Sequence, residues 1–307
     1  MKKLFTYSML IGIFGLSYGQ NFTQKADSLK NEGLLMPALQ AQYAALQQNQ
    51  SAETHYKVAT IYALLWTAQA RDSAFVHLNY ALKNDSTLKV LHDPSFLSLI
   101  EDLRWKKIES TQFDKYESAH GAIRNKPFAQ ELFRMIIKDQ GFMYAGNIER
   151  KKYMKNGGFF STAAIYPILA MEEKNHKENN KRLFGLLEEY GWPTTSQVTE
   201  YAAAGAALII NHTNYETRKK YFPYLEKAFK KGEAQPLRYA KMKDRLLVEE
   251  GKKQLFGTQW KFDNSKRVPL PIEAEEYVDK RRKKIGLGPL STYLKERFDI
   301  EWNVEQK

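Results

Sequence analysis

Apolar residues recur every three or four positions along much of this 307-residue chain, which is the spacing of one face of an α-helix. Between residues 22 and 50, for example, Leu29, Leu35, Leu39 and Leu46 follow it. The period changes near residues 254–272, where aromatic residues precede an Asp-Asn-Ser turn. The sequence therefore predicts a mainly α fold with one small β-hairpin in that region.

Residues 1–19 have the composition of a secretory signal peptide. Two lysines precede an apolar run from Leu4 to Leu16, and small residues then form a cleavage pattern ahead of Gln20. The run is too short to favour a membrane-spanning helix, and no later segment is apolar enough for one. We expect no transmembrane segment and an exported protein, periplasmic or secreted once the signal peptide is removed.

The chain contains no cysteine and carries a formal net charge of +12. The lack of cysteine excludes disulfide bonds and a thiolate nucleophile or ligand. The basic charge favours acidic partners, among which an anionic cell-envelope polymer is the weaker hypothesis. Acidic residues are interspersed with the basic ones, which is typical of a solvated surface, and we expect no nucleic-acid partner.

Residues 20–110 are predicted to form helical hairpins. Gly33 and Pro37 divide the first pair, and a second pair is predicted at 52–66 and 72–83, with Asp72 as the N-cap. These hairpins resemble tetratricopeptide repeats, although the full consensus is absent and plain helical hairpins fit equally well. We expect this region either to bind a protein partner or to pack on the second domain.

A polar stretch at residues 106–126 indicates a boundary, so the second domain is predicted at 127–300. Within that domain the pattern predicts a buried helix at 161–171, a charged stretch at 172–181 and another helix at 183–190. The helix predicted at 197–210 is rich in small residues, so other backbones can approach it closely. It places His212 at its C-terminal end.

Polar side chains suited to catalysis or binding recur in this second domain. His212 can act as acid, base or metal ligand, and Asp139 or Asp244 can orient it, so these three are the candidate catalytic residues. The other candidates would bind a polar or anionic small ligand or a glycan through amide, hydroxyl and guanidinium groups. They are Gln140, Arg245, Gln254, Thr258, Gln259, Arg281 and Arg282.

The same residues also have structural interpretations. His212 can interact with carbonyls at a helix end, Asp244 can pair with Arg245, and the polar residues of 254–259 can satisfy local backbone groups. The possible ligands lack a diagnostic metal-binding spacing, so no metal ligand and no cofactor is assigned. Neither a Gly-x-Ser-x-Gly nucleophile motif nor a glycine-rich phosphate loop occurs in the chain.

The order of these motifs resembles DUF6624, a family of unknown function, over roughly residues 128–294. The matching motifs are Asp-Gln at 139–140, Gly-Trp-Pro at 191–193, His212, Asp-Arg at 244–245, Gln254 with Gly-Thr-Gln at 257–259, Arg-Arg at 281–282 and Gly-Leu at 286–287. Two features depart from the family pattern. The arginine that usually follows Asp-Gln is absent, and asparagines stand where an aspartate-containing turn usually precedes Gly-Trp-Pro.

The resemblance implies no activity, so the functional hypotheses are based on the chemistry of the residues themselves. The first is an exported protein that binds a polar ligand or a protein partner through a His/Asp/Gln/Arg pocket. The alternative is a hydrolase, with or without a metal ion, that uses His212 as its general base.

Overall fold

The structure is a computed structural model that describes residues 21–158, 162–263 and 266–307. The predicted signal peptide at residues 1–19 lies outside them. The described chain is mainly helical with one two-stranded antiparallel sheet, which confirms the predicted fold class. Among the described residues, no helix combines the length and the apolar composition that crossing a bilayer requires.

The helices are numbered in chain order, starting with α1 at residues 21–31. Those that follow are α2 Leu35–Gln48, α3 Ala52–Leu64, α4 Ala68–Ala81, α5 Leu103–His120, α6 Lys126–Gln140, α7 Met143–Lys155, α8 Ile165–Tyr190, α9 Thr195–Val198, α10 Glu200–Asn211, α11 Tyr215–Lys230, α12 Pro236–Glu249, α13 Val278–Lys284 and α14 Leu290–Phe298. Short 3-10 helices cover Lys89–His92, Pro94–Leu99 and Glu275–Tyr277. The strands are β1 Trp260–Asp263 and β2 Lys266–Pro269.

The chain divides into two compact units. Unit 1 contains the described residues up to 122 together with 140–151 and 164–168. Unit 2 contains residues 123–139 and 169–307 together with the described part of 152–163. The contiguous domains expected from the sequence, 20–110 and 127–300, remain a prediction.

In unit 1, helices α2 to α4 pack in succession around an apolar core. Ala38 and Leu39 of α2 meet Val58 and Ile61 of α3 in this core, and each side chain is buried. The predicted hairpins are therefore present, while their assignment to the tetratricopeptide type stays a prediction.

The start of α4 differs from the prediction. Thr67 caps the helix by accepting a hydrogen bond from the backbone N–H of Ala70. Asp72 was predicted as the cap, but this is wrong, because it lies inside α4 and forms an ion pair of 2.7 Å with Arg104.

Helix α5 occupies most of the stretch predicted as a polar boundary at residues 106–126. Its inner face carries Trp105, Ile108 and Phe113 at helical spacing. Gln112 on the same face is 1% exposed and donates to the carbonyls of Asp85 and Thr87. The stretch looked polar because its charged residues form the outer face of a helix.

Helix α8, most of which belongs to unit 2, is one continuous helix of 26 residues, so the charged stretch at 172–181 lies inside a helix and does not separate two helices. Asn175 and Asn179 are buried, and their side-chain amides donate to the carbonyls of Lys138 and Met135 in α6. The carbonyl of Lys138 lies in the last turn of α6. The asparagines therefore belong to the inner face of α8 and attach it to α6.

Helix α10 packs closely on α6. A Cβ atom added at Gly205 would lie 2.5 Å from the side chain of Ile136, so a larger residue there would push the two helices apart. The chain enters α10 through Thr199, whose hydroxyl accepts from the backbone N–H of Ala202. The helix ends at Asn211, and His212 is its C-cap residue.

The C-terminal part of unit 2 contains the predicted hairpin and a small apolar cluster. Strands β1 and β2 pair antiparallel, with Trp260 opposite Pro269. Val278, Leu290 and Leu294 are fully buried in the cluster that α13 and α14 form nearby. The hairpin thus lies within residues 254–272, as predicted.

Candidate functional site

Asp139 and His212 meet at the ends of two helices. Asp139 is the penultimate residue of α6, and His212 directly follows α10. The Nδ1 atom of His212 lies 2.9 Å from Oδ2 of Asp139 and 3.1 Å from its Oδ1. The structure thus brings together two of the three predicted catalytic residues, although they lie 73 positions apart in the chain.

A third group, His176 of α8, completes this cluster. Its Nε2 atom lies 3.5 Å from Oδ1 of Asp139, and the rings of His176 and His212 are 5.7 Å apart between centroids. The bonds from Asn175 and Asn179 to α6 place this part of α8 beside Asp139. Sequence reasoning missed His176 because it treated residues 172–181 as a charged stretch. A usable signal was the four-residue spacing of Asn175, Asn179 and Leu183.

The electrostatic setting of the cluster favours a cation. The side chain of Asp139 is 1% exposed, whereas those of His176 and His212 are 36% and 31% exposed. A buried carboxylate is costly unless a positive group compensates it. The C-terminal ends of α6 and α10 add partial negative charge at the same place. The cluster therefore has a negative, buried inner side and two partly exposed imidazoles.

The spacing of the three side chains fits a metal ion. One ligand atom from each residue can be chosen so that all three lie within 4.8 Å of one another. A metal ion roughly 2.1 Å from each ligand, at angles between tetrahedral and right angles, holds its ligands roughly 3.0–3.4 Å apart. From Oδ1 of Asp139, the distances to Nδ1 of His212 and to Nε2 of His176 are 3.1 Å and 3.5 Å, close to this range. Two imidazoles and a carboxylate are donors that suit zinc and other first-row divalent metals.

Asp244, the third predicted catalytic residue, holds a loop. Its buried carboxylate accepts hydrogen bonds of 2.8–3.2 Å from the backbone N–H groups of Leu255, Phe256 and Thr258. The hydroxyl of Thr258 donates a further bond of 2.9 Å. Burial raises the pKa of Asp244, and these hydrogen bonds act in the opposite direction. Both oxygens of Asp244 therefore accept hydrogen bonds from the loop.

Gln254 and Gln259 fasten the same loop. The amide of Gln254 donates to the carbonyls of Gln259 and Leu270, and it accepts from the backbone N–H of Gln259. The side-chain amide of Gln259 donates to the carbonyl of Lys241 and to the hydroxyl of Thr258. These polar groups predicted to bind a ligand therefore have partners within the fold.

The predicted arginines also bond to backbone carbonyls. Arg281 donates to Leu255, and Arg282 donates to Phe256 and Gly288 at 2.7 Å each. Arg245 donates to the carbonyl of Asn211 at the end of α10. Gln140, the last of the predicted residues, ends α6 directly after Asp139 and is partly exposed.

The chain was compared with protein families, curated proteins and solved structures. A family model matches residues 130–301, which is more than half of the chain. No curated protein and no solved structure matches it. The matched range includes all the predicted site residues and His176. The chain belongs to DUF6624, a family of unknown function.

Proposed function

We infer that Asp139, His176 and His212 bind a divalent transition-metal ion, most readily Zn²⁺, and that the centre serves hydrolysis. The observation that carries this inference is the convergence of three ligand atoms, from α6, α8 and the end of α10, within 4.8 Å. Structural zinc sites usually have four protein ligands, whereas catalytic sites usually have three and keep a position for water. The part of the chain that the structure describes supplies three.

The surroundings of the three residues agree with a site that a substrate can reach. Asp139 lies on the buried side, while both histidines are partly exposed. A metal bound there would supply a water molecule of lowered pKa as the nucleophile. The chain itself keeps the ligands in place, since Gly205 allows α10 to approach α6 and Asn179 ties α8 to it. Ligands on packed helices are held more rigidly than ligands on loops.

The test is metal binding by the purified mature chain. After treatment with a chelator, Zn²⁺ is titrated in by calorimetry, and the bound metal is counted by elemental analysis. We expect one equivalent per chain. Asp139→Asn, His176→Gln and His212→Gln should each weaken binding about a hundredfold or more, because loss of a ligand exceeds the ~10–100-fold effect of losing a supporting partner. His120→Gln is the matched control, since His120 is an exposed histidine at the end of α5. Unchanged zinc affinity in all three site variants would refute the proposal.

A second candidate function follows from the 2.9 Å contact between Nδ1 of His212 and Asp139. If Nδ1 carries the proton and donates a hydrogen bond to the carboxylate, the unprotonated Nε2 can act as a general base that activates water without a metal. Turnover of ester, peptide and glycan substrates separates the two mechanisms. His212→Gln abolishes turnover under either mechanism, whereas His176→Gln abolishes it only if a metal is required.

The binding-protein hypothesis remains distinct from both enzymatic ones. It predicts a polar ligand that co-purifies with the chain and is retained without being converted, which mass spectrometry of the purified protein can detect. Export likewise remains our expectation from residues 1–19. Sequencing the N-terminus of protein recovered outside the cytoplasm tests it, and a mature chain that begins near Gln20 is the expected result.

A further inference from the structure

We propose that unit 2 binds a doubly charged oxyanion, a phosphate or phosphomonoester group, between α12 and α14. The groups that contact it are Arg238 and Lys241 of α12 and Tyr293 and Arg297 of α14. This inference goes beyond the metal site and does not depend on it.

Two pairs of hydrogen-bond donors lie on two helices, α12 and α14. Arg238 and Lys241 are three residues apart in α12, and Tyr293 and Arg297 are four apart in α14, so each pair shares a helix face. The loop that Asp244 attaches to α12 contains Gly257, and a Cβ added to Gly257 would lie 2.5 Å from the Leu290 side chain. The first turn of α14 therefore packs against the loop that Asp244 of α12 holds.

A second close contact joins α12 to the chain that leads into α14. A Cβ added to Gly286 would lie 3.7 Å from the Cγ atom of Pro236. Pro236 is the first residue of α12, and Gly286 is four residues ahead of α14. The start of α12 thus lies beside the turn that leads into α14, and Arg238, Lys241 and Tyr293 lie in the N-terminal halves of these two helices.

The four donors have no acceptor among the described residues. The side chains of Arg238, Lys241 and Arg297 make no hydrogen bond or ion pair there. The hydroxyl oxygen of Tyr293 is buried and also has no hydrogen-bond partner. Elsewhere in unit 2 arginines are paired, as Arg218 is with Glu249. Arg238 and Lys241 are partly buried and Arg297 is exposed, so the hydroxyl of Tyr293 is the buried group of the four that lacks a partner. Buried polar groups without a partner are rare in folded proteins, and a ligand is one way to satisfy them.

The charges of the cluster repel one another. Burial lowers the pKa of Lys241 to about 8, and the nearby charges of Arg238 and Arg297 contribute to this shift. Burial and Arg297 also lower the pKa of Arg238 to about 10, while attraction by Asp139 opposes the change. A bound anion would relieve this repulsion.

The number of donors selects the class of ligand. Three cations and a hydroxyl match the charge and the terminal oxygens of a phosphate dianion. A carboxylate carries one charge and two oxygens, so it would leave part of the cluster unsatisfied. Free phosphate and a phosphomonoester share the required chemistry, and they are distinguished by using both as probes.

The experiment is calorimetric titration of the full mature chain, freed of metal with a chelator, at low ionic strength and neutral pH. The probes are inorganic phosphate, phenyl phosphate and acetate. We expect at least one of the two phosphates to bind, and acetate to bind at least about tenfold more weakly. Arg238→Gln and Lys241→Gln should each reduce phosphate affinity about ten- to a hundredfold, the usual effect of losing a hydrogen bond to a charged group. Because metal is absent, failure of the metal proposal leaves this result unaffected.

Two further variants separate binding from folding. Lys243→Gln removes the same charge from the same helix, but the Lys243 ammonium lies over the Phe222 ring, 5.3 Å from its centroid, so phosphate affinity should not change. Tyr293→Phe removes only the unpartnered hydroxyl, and should weaken phosphate binding without lowering the melting temperature. The proposal is overturned if the wild type binds neither phosphate, if acetate binds as tightly, or if Lys243→Gln matches the losses at Arg238 and Lys241.

Discussion

The loop at residues 254–259 depends on the carboxylate of Asp244, so Asp244→Ala tests how unit 2 is held together. The side chain is fully buried and accepts from three backbone N–H groups and one hydroxyl. Alanine would leave these four donors buried without an acceptor. Each hydrogen bond to a charged group typically contributes about 1.5–3 kcal/mol.

The sum of four such bonds overstates the loss. The hydroxyl of Thr258 can rotate to another partner, water can enter the space that the carboxylate leaves, and the native state already bears the cost of burying Asp244. Breaking a buried charged interaction from one side typically costs about 3–5 kcal/mol, and we expect that range here. For a domain of this size, each kcal/mol lowers the melting temperature by about 2–4 °C, so the expected decrease is about 6–20 °C.

Urea unfolding followed by tryptophan fluorescence, together with calorimetry, measures this loss. Asp244→Asn keeps one acceptor oxygen and should fall between the wild type and Asp244→Ala. Asp299→Asn is the matched control, because the Asp299 side chain is 84% exposed and water screens its pair with Lys295, so its stability should stay close to that of the wild type. An Asp244→Ala protein within about 1 kcal/mol of this control would refute the structural role.

Three further predictions concern local strain and buried bases. Gly257→Ala should destabilise the protein by about 2–4 kcal/mol in urea unfolding, because φ is +73° and the new Cβ would press on α14. Gly251→Ala, at φ +71° with nothing within 4 Å, should cost less. The pKa of Lys241 is lowered to about 8 from 10.5, so between these pH values the unfolded chain retains a proton that the folded chain has released. Stability should therefore rise with pH in this window relative to Lys241→Gln, and a constant difference contradicts the prediction. Burial and the charge of His55 lower the pKa of His77 to about 4 from 6.5, so the folded protein should lose stability as the pH falls through that window. Melting temperatures at pH 7 and pH 5 measure the loss, which should be smaller in His77→Gln.

Local spacing predicted most of the fold because a helical face or a hairpin turn is visible in a short window. It failed where tertiary contacts decide which face of a helix is inner. Residues 172–181 look solvent-exposed, yet Asn175 and Asn179 are buried because α6 offers them carbonyl groups. The position of His176 beside Asp139 follows from that pairing.

The candidate site was predicted in part for a related reason. The position of His212 at a helix end was readable from the sequence, and its contact with Asp139 followed from the packing of α6 on α10. The residue type of Asp244 does not reveal whether its carboxylate faces a ligand or backbone N–H groups. That depends on the path of the loop, which turns at Gly257 with φ +73°.

Two groups of cations in unit 2 are expected to have opposite effects on stability. The first group donates to backbone carbonyls and comprises Arg245, Arg281 and Arg282. The second has no acceptor among the described residues and comprises Arg238, Lys241 and Arg297. The loop around Gly257, which the first group and Asp244 hold, packs on Leu290 in the first turn of α14. Residues that the sequence suggested as ligand contacts thus act on the anion site indirectly, by positioning the helix that carries Tyr293.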